Sequence, residues 1–201
     1  MYIPKRFEVK DKETMTEFIR ENSFGILFSQ NGKGPVATHL PFLIKEDTLI
    51  GHMAKMNEQW KEIENEVLVV FSGPHAYISP SWYEETDVVP TWNYTAVHVY
   101  GEFTPVFEGE ELEEILADTV HFYESSMPEP WKMDTQNDYY NRSLKAIVGF
   151  KIKITKMEGK WKLNQNHSRA RQERVIRQLE KRKDPNARAI ADLMRGNLER
   201  N

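Results

Sequence analysis

The chain has 201 residues, 39% hydrophobic and 29% charged, which indicates a folded protein of one large domain or one domain with an appendage. It contains no cysteine, so disulfides, thiolate catalysis and cysteine-ligated zinc or iron–sulfur sites are excluded. The net charge of −4 is uneven, because residues 160–201 hold 12 Lys or Arg against 5 Asp or Glu. This asymmetry favours nucleic acid or an acidic partner, although a solvated helix face produces the same pattern.

The N-terminus, MYIPKRFEVKDKE, lacks the apolar segment of a signal peptide. No apolar run approaches the roughly 20 residues that a membrane helix needs. The absence of cysteine fits a reducing compartment. We therefore expect a cytoplasmic protein with no membrane contact.

The N-terminal third predicts a helix followed by strands. Thr14 and Glu17 have the spacing of a capping box, and apolar residues follow on one face, which favours a helix over 14–22. A glycine-containing hairpin turn joins the first two predicted strands. Pro41 indicates that the second strand is interrupted there or lies at the edge of the sheet. The predicted strands are 24–30, 35–44, 48–54 and 67–73, with a helical patch at 56–66.

The apolar run VLVVFSG (67–73) is the strongest candidate for a core strand, with Phe71 in the core and Gly73-Pro74 at its end. Further patterns predict strands at 76–79 and 98–107, a helix at 110–126, a loop at 126–138 and a hairpin turning at Glu158-Gly159. Charged helical segments follow, the last beginning at Asp184-Pro185. Many short strands with added helices favour an antiparallel barrel.

Two runs, 71–83 (FSGPHAYISPSWY) and 90–101 (PTWNYTAVHVYG), are dense in aromatic, amide and imidazole groups. A flat heteroaromatic ligand needs ring faces and a few polar groups at its edge, and these runs supply both. An aromatic core or a subunit interface explains the same composition, because Trp and Tyr favour both. The residue types alone leave these interpretations open.

The segment GHMAKMNEQWK (51–61) places Lys55, Asn57 and Gln59 where a strand enters a helical patch, which suits a phosphate monoester as well as ordinary capping. The six histidines lack metal-ligand spacing, so we predict no metal site. Glycine-rich phosphate loops and nucleophile motifs are absent from the sequence, and no catalytic residue is identified.

Six strings occur in one order: MYIPKRF, ATHLPFLI, GHMAKMNEQW, VLVVFSGPHAYISPSWY, VPTWNYTAVHVYG and GKWKLNQNHS. Together they resemble the PaiB-type FMN-binding negative transcriptional regulators, from Met1 to about Leu179. The resemblance implies a mainly β fold with helices, an FMN-binding split β-barrel like that of pyridoxamine-phosphate oxidases. It also implies a homodimer with flavin near the subunit interface, and repression of extracellular protease and sporulation genes. We place the barrel at 1–166 and a basic helical extension at 167–201.

The resemblance, together with the aromatic runs, implies a set of cofactor-binding residues. Residues 37–41 fall where split barrels pass backbone along the isoalloxazine ring, and 52–57 where they bind the FMN phosphate. The expected cofactor-binding set is Thr38, His39, Leu40, His52, Lys55, Asn57, His75, Tyr77, Trp92, Asn93, Lys162 and Gln165.

Three functions remain open at this point. A regulator that binds DNA directly is expected to use the basic segment 169–183, although no helix-turn-helix is evident. An FMN-dependent oxidoreductase acting on a small planar or phosphorylated substrate is the alternative. Haem binding through His75, His98 or His167 is a weaker third possibility. The expected DNA-binding set is Arg169, Arg171, Arg174, Arg177, Lys181, Arg182 and Lys183.

Overall fold

The structure, a computed structural model, describes residues 1–64 and 66–200. The described residues form one eight-stranded sheet of order β3-β2-β6-β7-β8-β5-β4, with β1 paired to β8. The β1–β8, β2–β3, β2–β6, β4–β5 and β5–β8 pairs are antiparallel. The strands are β1 Glu8–Val9, β2 Phe24–Asn31, β3 Gly34–Pro41, β4 Leu43–Lys45, β5 Thr48–Ala54, β6 Glu66–Ile78, β7 Thr91–Val106 and β8 Ile147–Lys162.

The helices at the predicted positions 14–22 and 110–126 are confirmed, but the first begins two residues early. The Asp11 carboxylate accepts hydrogen bonds from the Thr14 backbone N–H at 2.7 Å and from the Thr14 hydroxyl at 2.6 Å, so Asp11 caps the helix. The patch at 56–66 forms a single 3-10 turn, and its residue 65 lies outside the described residues. The helices are α1 Lys12–Glu21, α2 Glu110–Glu124, α3 Asp138–Lys145, α4 Arg169–Glu180 and α5 Pro185–Glu199.

The prediction that Gly73-Pro74 ends a strand is wrong, because β6 continues to Ile78. The register of β6 with β2 covers residues 68–70, so Pro74 lies beyond that pairing, where its missing N–H breaks no β2 ladder bond. After the proline the alternation persists: Ala76 and Ile78 are buried, whereas His75 and Tyr77 are exposed.

The hairpin predicted at Glu158-Gly159 is also wrong, because β8 runs unbroken from Ile147 to Lys162. Gly159 instead pairs with Val9 of β1, and a Cβ there would lie 2.9 Å from the sulfur of Met15. The glycine therefore permits close approach of a neighbouring segment and makes no turn. Helix α3, which the sequence patterns do not predict, follows the 126–138 loop and is capped by the Asn137 side chain.

The chain divides into two compact units. Unit 1 comprises residues 1–15, 72–97 and 158–200, and unit 2 comprises the described residues of 16–71 and 98–157. The predicted boundary between residues 166 and 167 stays a prediction, and residue 201 lies outside the described chain. In unit 1, helices α4 and α5 share one apolar core with strand residues on the other side of that boundary. Its members include Ile78, Tyr83, Leu163, Val175, Leu179, Ile190 and Met194.

In unit 2, helix α2 buries Leu112 and Ile115 in a core cluster that also contains Leu43, Ile50 and Val106. A second set of contacts joins aromatic rings: Phe42 lies 5.5 Å from Phe71 and 5.7 Å from Phe150 between ring centroids. Phe71 is fully buried, which confirms its predicted place in the core. No helix in the described chain is long and apolar enough to cross a membrane.

Candidate functional site

The first group of predicted cofactor residues lies in unit 2, on β3 and on the turn after β5. The Asn57 side-chain amide donates to the Thr38 hydroxyl at 3.0 Å, and its carbonyl oxygen accepts from the Gln59 backbone N–H at 3.1 Å. Lys55, two residues before Asn57, is exposed. The turn therefore holds an amide and a hydroxyl together and carries an accessible ammonium group nearby in the chain.

Gln59 fixes this turn to the sheet rather than facing solvent. Its side chain is buried, and its amide nitrogen donates to the Leu27 carbonyl at 3.1 Å and to the Ser29 hydroxyl at 3.0 Å. Of the three residues that the sequence associates with a phosphate, Gln59 is thus a positioning residue, and its backbone N–H is bonded to Asn57.

Strand β3 divides its predicted site residues between two faces. Thr38 and Leu40 share one face, with Leu40 buried, whereas His39 lies on the other and is exposed. The His39 ring lies 6.2 Å from the ring of Phe24, which is 65% exposed. This exposed ring pair, with Phe24 on β2 and His39 on β3, offers a surface on which a flat ligand can stack.

His52 is separated from the Thr38–Asn57 pair. It lines a cavity of about 310 Å³ together with residues of α2, α3 and the loop between them, and neither Thr38 nor Asn57 lines that cavity. Burial lowers the pKa of His52 below the usual histidine value. Its Nδ1 has no hydrogen-bond partner among the described residues.

The second group lies in unit 1 and forms an exposed aromatic patch of His75, Tyr77 and Trp92. The Trp92 ring lies 6.2 Å from His75 and 5.9 Å from Tyr77 between centroids. Trp92 is 53% exposed and Tyr77 is 40% exposed. The exposed face of β6 and the start of β7 thus bring together three of the predicted residues.

Lys162 is tied to the backbone beside this aromatic patch. Its ammonium group donates to the Trp92 carbonyl at 2.9 Å and to the Thr91 hydroxyl. Burial, and then the charge of Lys160, lower the pKa of Lys162. Lys162 therefore holds the start of β7 in place, which fixes the backbone that carries Trp92.

Asn93 and Gln165 are held within unit 1. Asn93 is fully buried, and its amide nitrogen lies 3.4 Å from the sulfur of Met194. The Gln165 side chain donates to the Trp161 carbonyl at 2.6 Å and accepts from the Leu163 N–H at 2.7 Å, so it closes the turn after β8.

Two arginines of the predicted DNA-contact helix are engaged by an acidic residue that sequence reasoning missed. Glu85 pairs with both Arg171 and Arg174, and the Arg171 hydrogen bond is the main reason that the pKa of Glu85 is lowered. Glu85 lies 86 positions from Arg171 in the chain, so no spacing rule signals the contact. Arg169 pairs within its own helix, with Glu173 at 3.0 Å.

The remaining predicted DNA-contact residues lie at the end of α4 and just after it. All four are exposed and form no ion pair with another described residue. We call them the basic cluster: Arg177, Lys181, Arg182 and Lys183.

The histidines considered for haem lie in different surroundings. His75 is exposed in the aromatic patch, and His98 is half-buried on β7. The His167 Nδ1 lies 2.8 Å from the Arg171 guanidinium, and burial followed by that positive charge lowers the pKa of His167. Within residues 1–64 and 66–200, no group of three or more His, Asp or Glu side chains is arranged to hold a metal ion.

Comparison with known proteins identifies the class. Residues 1–156 match the family described as "Putative FMN-binding domain", and the chain belongs to that family. The fold is a mixed α+β split β-barrel, as the resemblance in the sequence implies.

The individual relatives place the chain more narrowly. It is 43% identical to the protease synthase and sporulation protein PAI 2 of Bacillus subtilis over 100% of this chain and 99% of that protein. Its fold is similar to the flavocytochrome Anf3 of Azotobacter vinelandii, with a TM-score of 0.63 at 13% identity, covering 80% and 72% of the two chains. It is also similar to the FAD and heme binding protein of Mycobacterium smegmatis, with a TM-score of 0.59 at 12% identity, covering 77% and 73%.

Proposed function

We propose that this chain is a negative transcriptional regulator of extracellular protease and sporulation genes, built on an FMN-binding split barrel. The observation that carries the proposal is the 43% identity to PAI 2, which extends over the whole of this chain and nearly all of that relative. The name of that relative associates it with protease synthesis and sporulation. Identity over the full length favours a shared role for the whole chain, beyond the shared barrel.

DNA contact is proposed at the basic cluster. Its four side chains are exposed and without ion pairs in the described chain, whereas Arg171 and Arg174 are engaged by Glu85. A cation that is already paired gains less from a phosphate, because its carboxylate partner must first be released. The unpaired cations are therefore the better phosphate ligands, and each neutralised phosphate releases counterions.

Binding to promoter DNA at several salt concentrations tests this contact. A variant with all four cluster residues changed to Gln is expected to bind more weakly, and its log–log salt slope is expected to fall by about 0.9 for each phosphate that the protein no longer neutralises. A control variant with the same change in charge elsewhere is expected to keep the slope. Its substitutions are Lys132→Gln, Arg142→Gln, Lys145→Gln and Lys153→Gln, all at exposed residues of unit 2. An unchanged slope in the cluster variant, or an equal decrease in both variants, contradicts the proposed contact.

FMN is proposed as the cofactor. The description of the family supports flavin binding, and the turn after β5 supplies groups that suit a phosphate: the amide of Asn57, the hydroxyl of Thr38 and the ammonium of Lys55. The exposed Phe24 and His39 rings offer a flat apolar surface of the kind on which an aromatic ring system stacks.

A homodimer is proposed as the assembled form, and the aromatic patch supports it. Exposed Trp and Tyr side chains are enriched at the centres of protein interfaces. Trp92 and Tyr77 are both exposed, and their rings lie in edge-to-face contact.

An FMN-dependent oxidoreductase is the second candidate, and a specific feature of the aromatic patch favours it. His75 and Tyr77, which can transfer protons, are exposed, and each lies next to the Trp92 ring. The two fold relatives are a flavocytochrome and a protein that binds FAD and heme. Anaerobic reduction of bound FMN followed by reoxidation with small planar acceptors tests this function. The oxidoreductase function is supported if an acceptor makes reoxidation faster than it is without acceptor and if this acceleration is lost in a His75→Ala variant. A protein that takes up no FMN contradicts the function.

A further inference from the structure

A cavity in unit 2, between α2, α3 and strand β5, is shaped for a ligand apart from the proposed FMN contacts. Its volume is about 310 Å³, at the lower end of the range for small-molecule sites. We call it the α2–α3 cavity. Its apolar lining comprises Leu116, Val120, Trp131, Met133, Leu144 and Ile147. This lining suits a ring system with little charge.

Two residues that line this apolar wall each hold a buried polar atom without a partner. The Nδ1 of His52 and the hydroxyl of Tyr140 are each shielded from solvent, and neither has a hydrogen-bond partner among the described residues. Buried polar atoms are normally paired, so two orphaned atoms on residues of the same cavity point to partner groups that a ligand would supply.

Two further polar side chains that line the cavity are hydrogen-bonded within the loop and the start of α3. Asp134 accepts a hydrogen bond from the Gln136 backbone N–H at 3.0 Å, and Asn137 accepts one from the Tyr139 N–H at 2.8 Å. These two bonds shape the loop and the start of α3. The His52 Nδ1 and the Tyr140 hydroxyl make no such bond, so these are the groups to which we assign recognition of a ligand.

Both orphaned groups are neutral near pH 7. Burial lowers the pKa of His52, and burial together with the charge of Glu113 raises the pKa of Tyr140. A neutral imidazole and a neutral phenol pair best with uncharged polar groups.

We propose that the α2–α3 cavity binds a small uncharged aromatic molecule that carries a hydroxyl or carbonyl group, with the polar edge of the molecule hydrogen-bonded to His52 and Tyr140. The site goes beyond the proposed regulatory function and does not depend on it. It is separate from the Thr38–Asn57 pair, which does not line the cavity.

Fluorine NMR titrations of the full chain with 6-fluoro-2-naphthol and 2-fluoronaphthalene test the proposal. Both probes are expected to bind saturably. Tyr140→Phe is expected to weaken the naphthol by about twofold to tenfold, the effect of one hydrogen bond, and to leave fluoronaphthalene unchanged. Tyr139→Phe is the matched control, because its ring also lines the cavity but is 70% exposed. His52→Leu is expected to act like Tyr140→Phe.

Fluoronaphthalene binding shows that the cavity is intact in each variant, so a decrease in naphthol affinity alone can be assigned to the missing polar group. The proposal is overturned if neither probe binds saturably. It is also overturned if Tyr139→Phe weakens the naphthol as much as Tyr140→Phe does. Competitive displacement of the naphthol by FMN would identify the cavity with the flavin site and contradict the separation, whereas simultaneous binding supports it.

Discussion

Replacing Leu179 by Ala is expected to lower the free energy of unfolding by about 2–5 kcal/mol, the range for large-to-small changes in a core. Leu179 is fully buried on α4, in the cluster that also contains Tyr83, Leu163 and Ile190. The substitution removes apolar packing and leaves a cavity, because neighbours from several elements hold their positions. The matched control is Arg177→Ala on the same helix, which is exposed and is expected to change stability by less than about 0.5 kcal/mol.

Urea unfolding followed by tryptophan fluorescence measures this difference. Trp82 and Trp161 pack against the same core cluster, so they report on the loss of its structure. The urea midpoint of Leu179→Ala is expected to fall while the denaturant slope stays constant, which isolates a change in stability. If Leu179→Ala and Arg177→Ala unfold at the same midpoint, then α4 is not part of the core, and the description of unit 1 is wrong.

This result also determines how the DNA contact must be tested. If α4 is integral to the core, deleting the chain after Asn166 exposes the apolar side chains of Ile78, Tyr83 and Leu163. Weaker DNA binding in such a truncation would then reflect damaged folding as well as the removal of charge. Substitutions in the basic cluster avoid this problem because its side chains are exposed.

Three further predictions concern the cofactor, pH and assembly. Lys55→Met is expected to lower the affinity for FMN about tenfold or more and to leave the affinity for riboflavin unchanged, because riboflavin lacks the phosphate. Fluorescence quenching measures both affinities. Equal decreases for the two ligands would exclude a phosphate contact at Lys55. Burial lowers the pKa of His52 and of His167, so the unfolded state binds their protons more readily, and stability is expected to fall as pH drops below the usual histidine pKa of 6.5. Urea midpoints at pH 7.5 and 5.5 measure this decrease in stability, which should be smaller in a His52→Gln variant. Equal decreases in the variant and the parent protein would show that His52 does not cause the pH dependence. Trp92→Ser is expected to shift a dimer toward monomer in light scattering, whereas Trp131→Ser is not, because that ring, which is 60% exposed against 53% for Trp92, lies outside the aromatic patch. A monomeric parent protein would contradict the proposed dimer.

Local sequence patterns predicted the fold well where a signal lies within a few residues. The helices at 14–22 and 110–126 follow apolar periodicity, and the strands before residue 72 follow runs of apolar residues. The same rules failed at Gly73-Pro74 and Glu158-Gly159, where residues typical of turns lie inside long strands. At Gly159 the deciding contact is with Met15, which is remote in sequence.

The candidate site was less predictable because side-chain direction and long-range pairing decide it. The sequence predicts one set of cofactor-binding residues, but the structure separates them. His52 lines the α2–α3 cavity, whereas Thr38 bonds to Asn57 outside it. Asn93 is buried against Met194, 101 positions away, and Glu85 engages two arginines of α4. Neither the burial nor the pairing leaves a local sequence signal.

Transcription from an extracellular-protease promoter, measured with a reporter in cells with and without this chain, tests the central claim most directly. The account predicts that the chain lowers reporter output and that the variant with a neutral basic cluster does so much less at equal protein level. The charge-matched control with substitutions in unit 2 is expected to repress like the parent chain. Equal reporter output with and without the chain would contradict the assignment as a negative regulator.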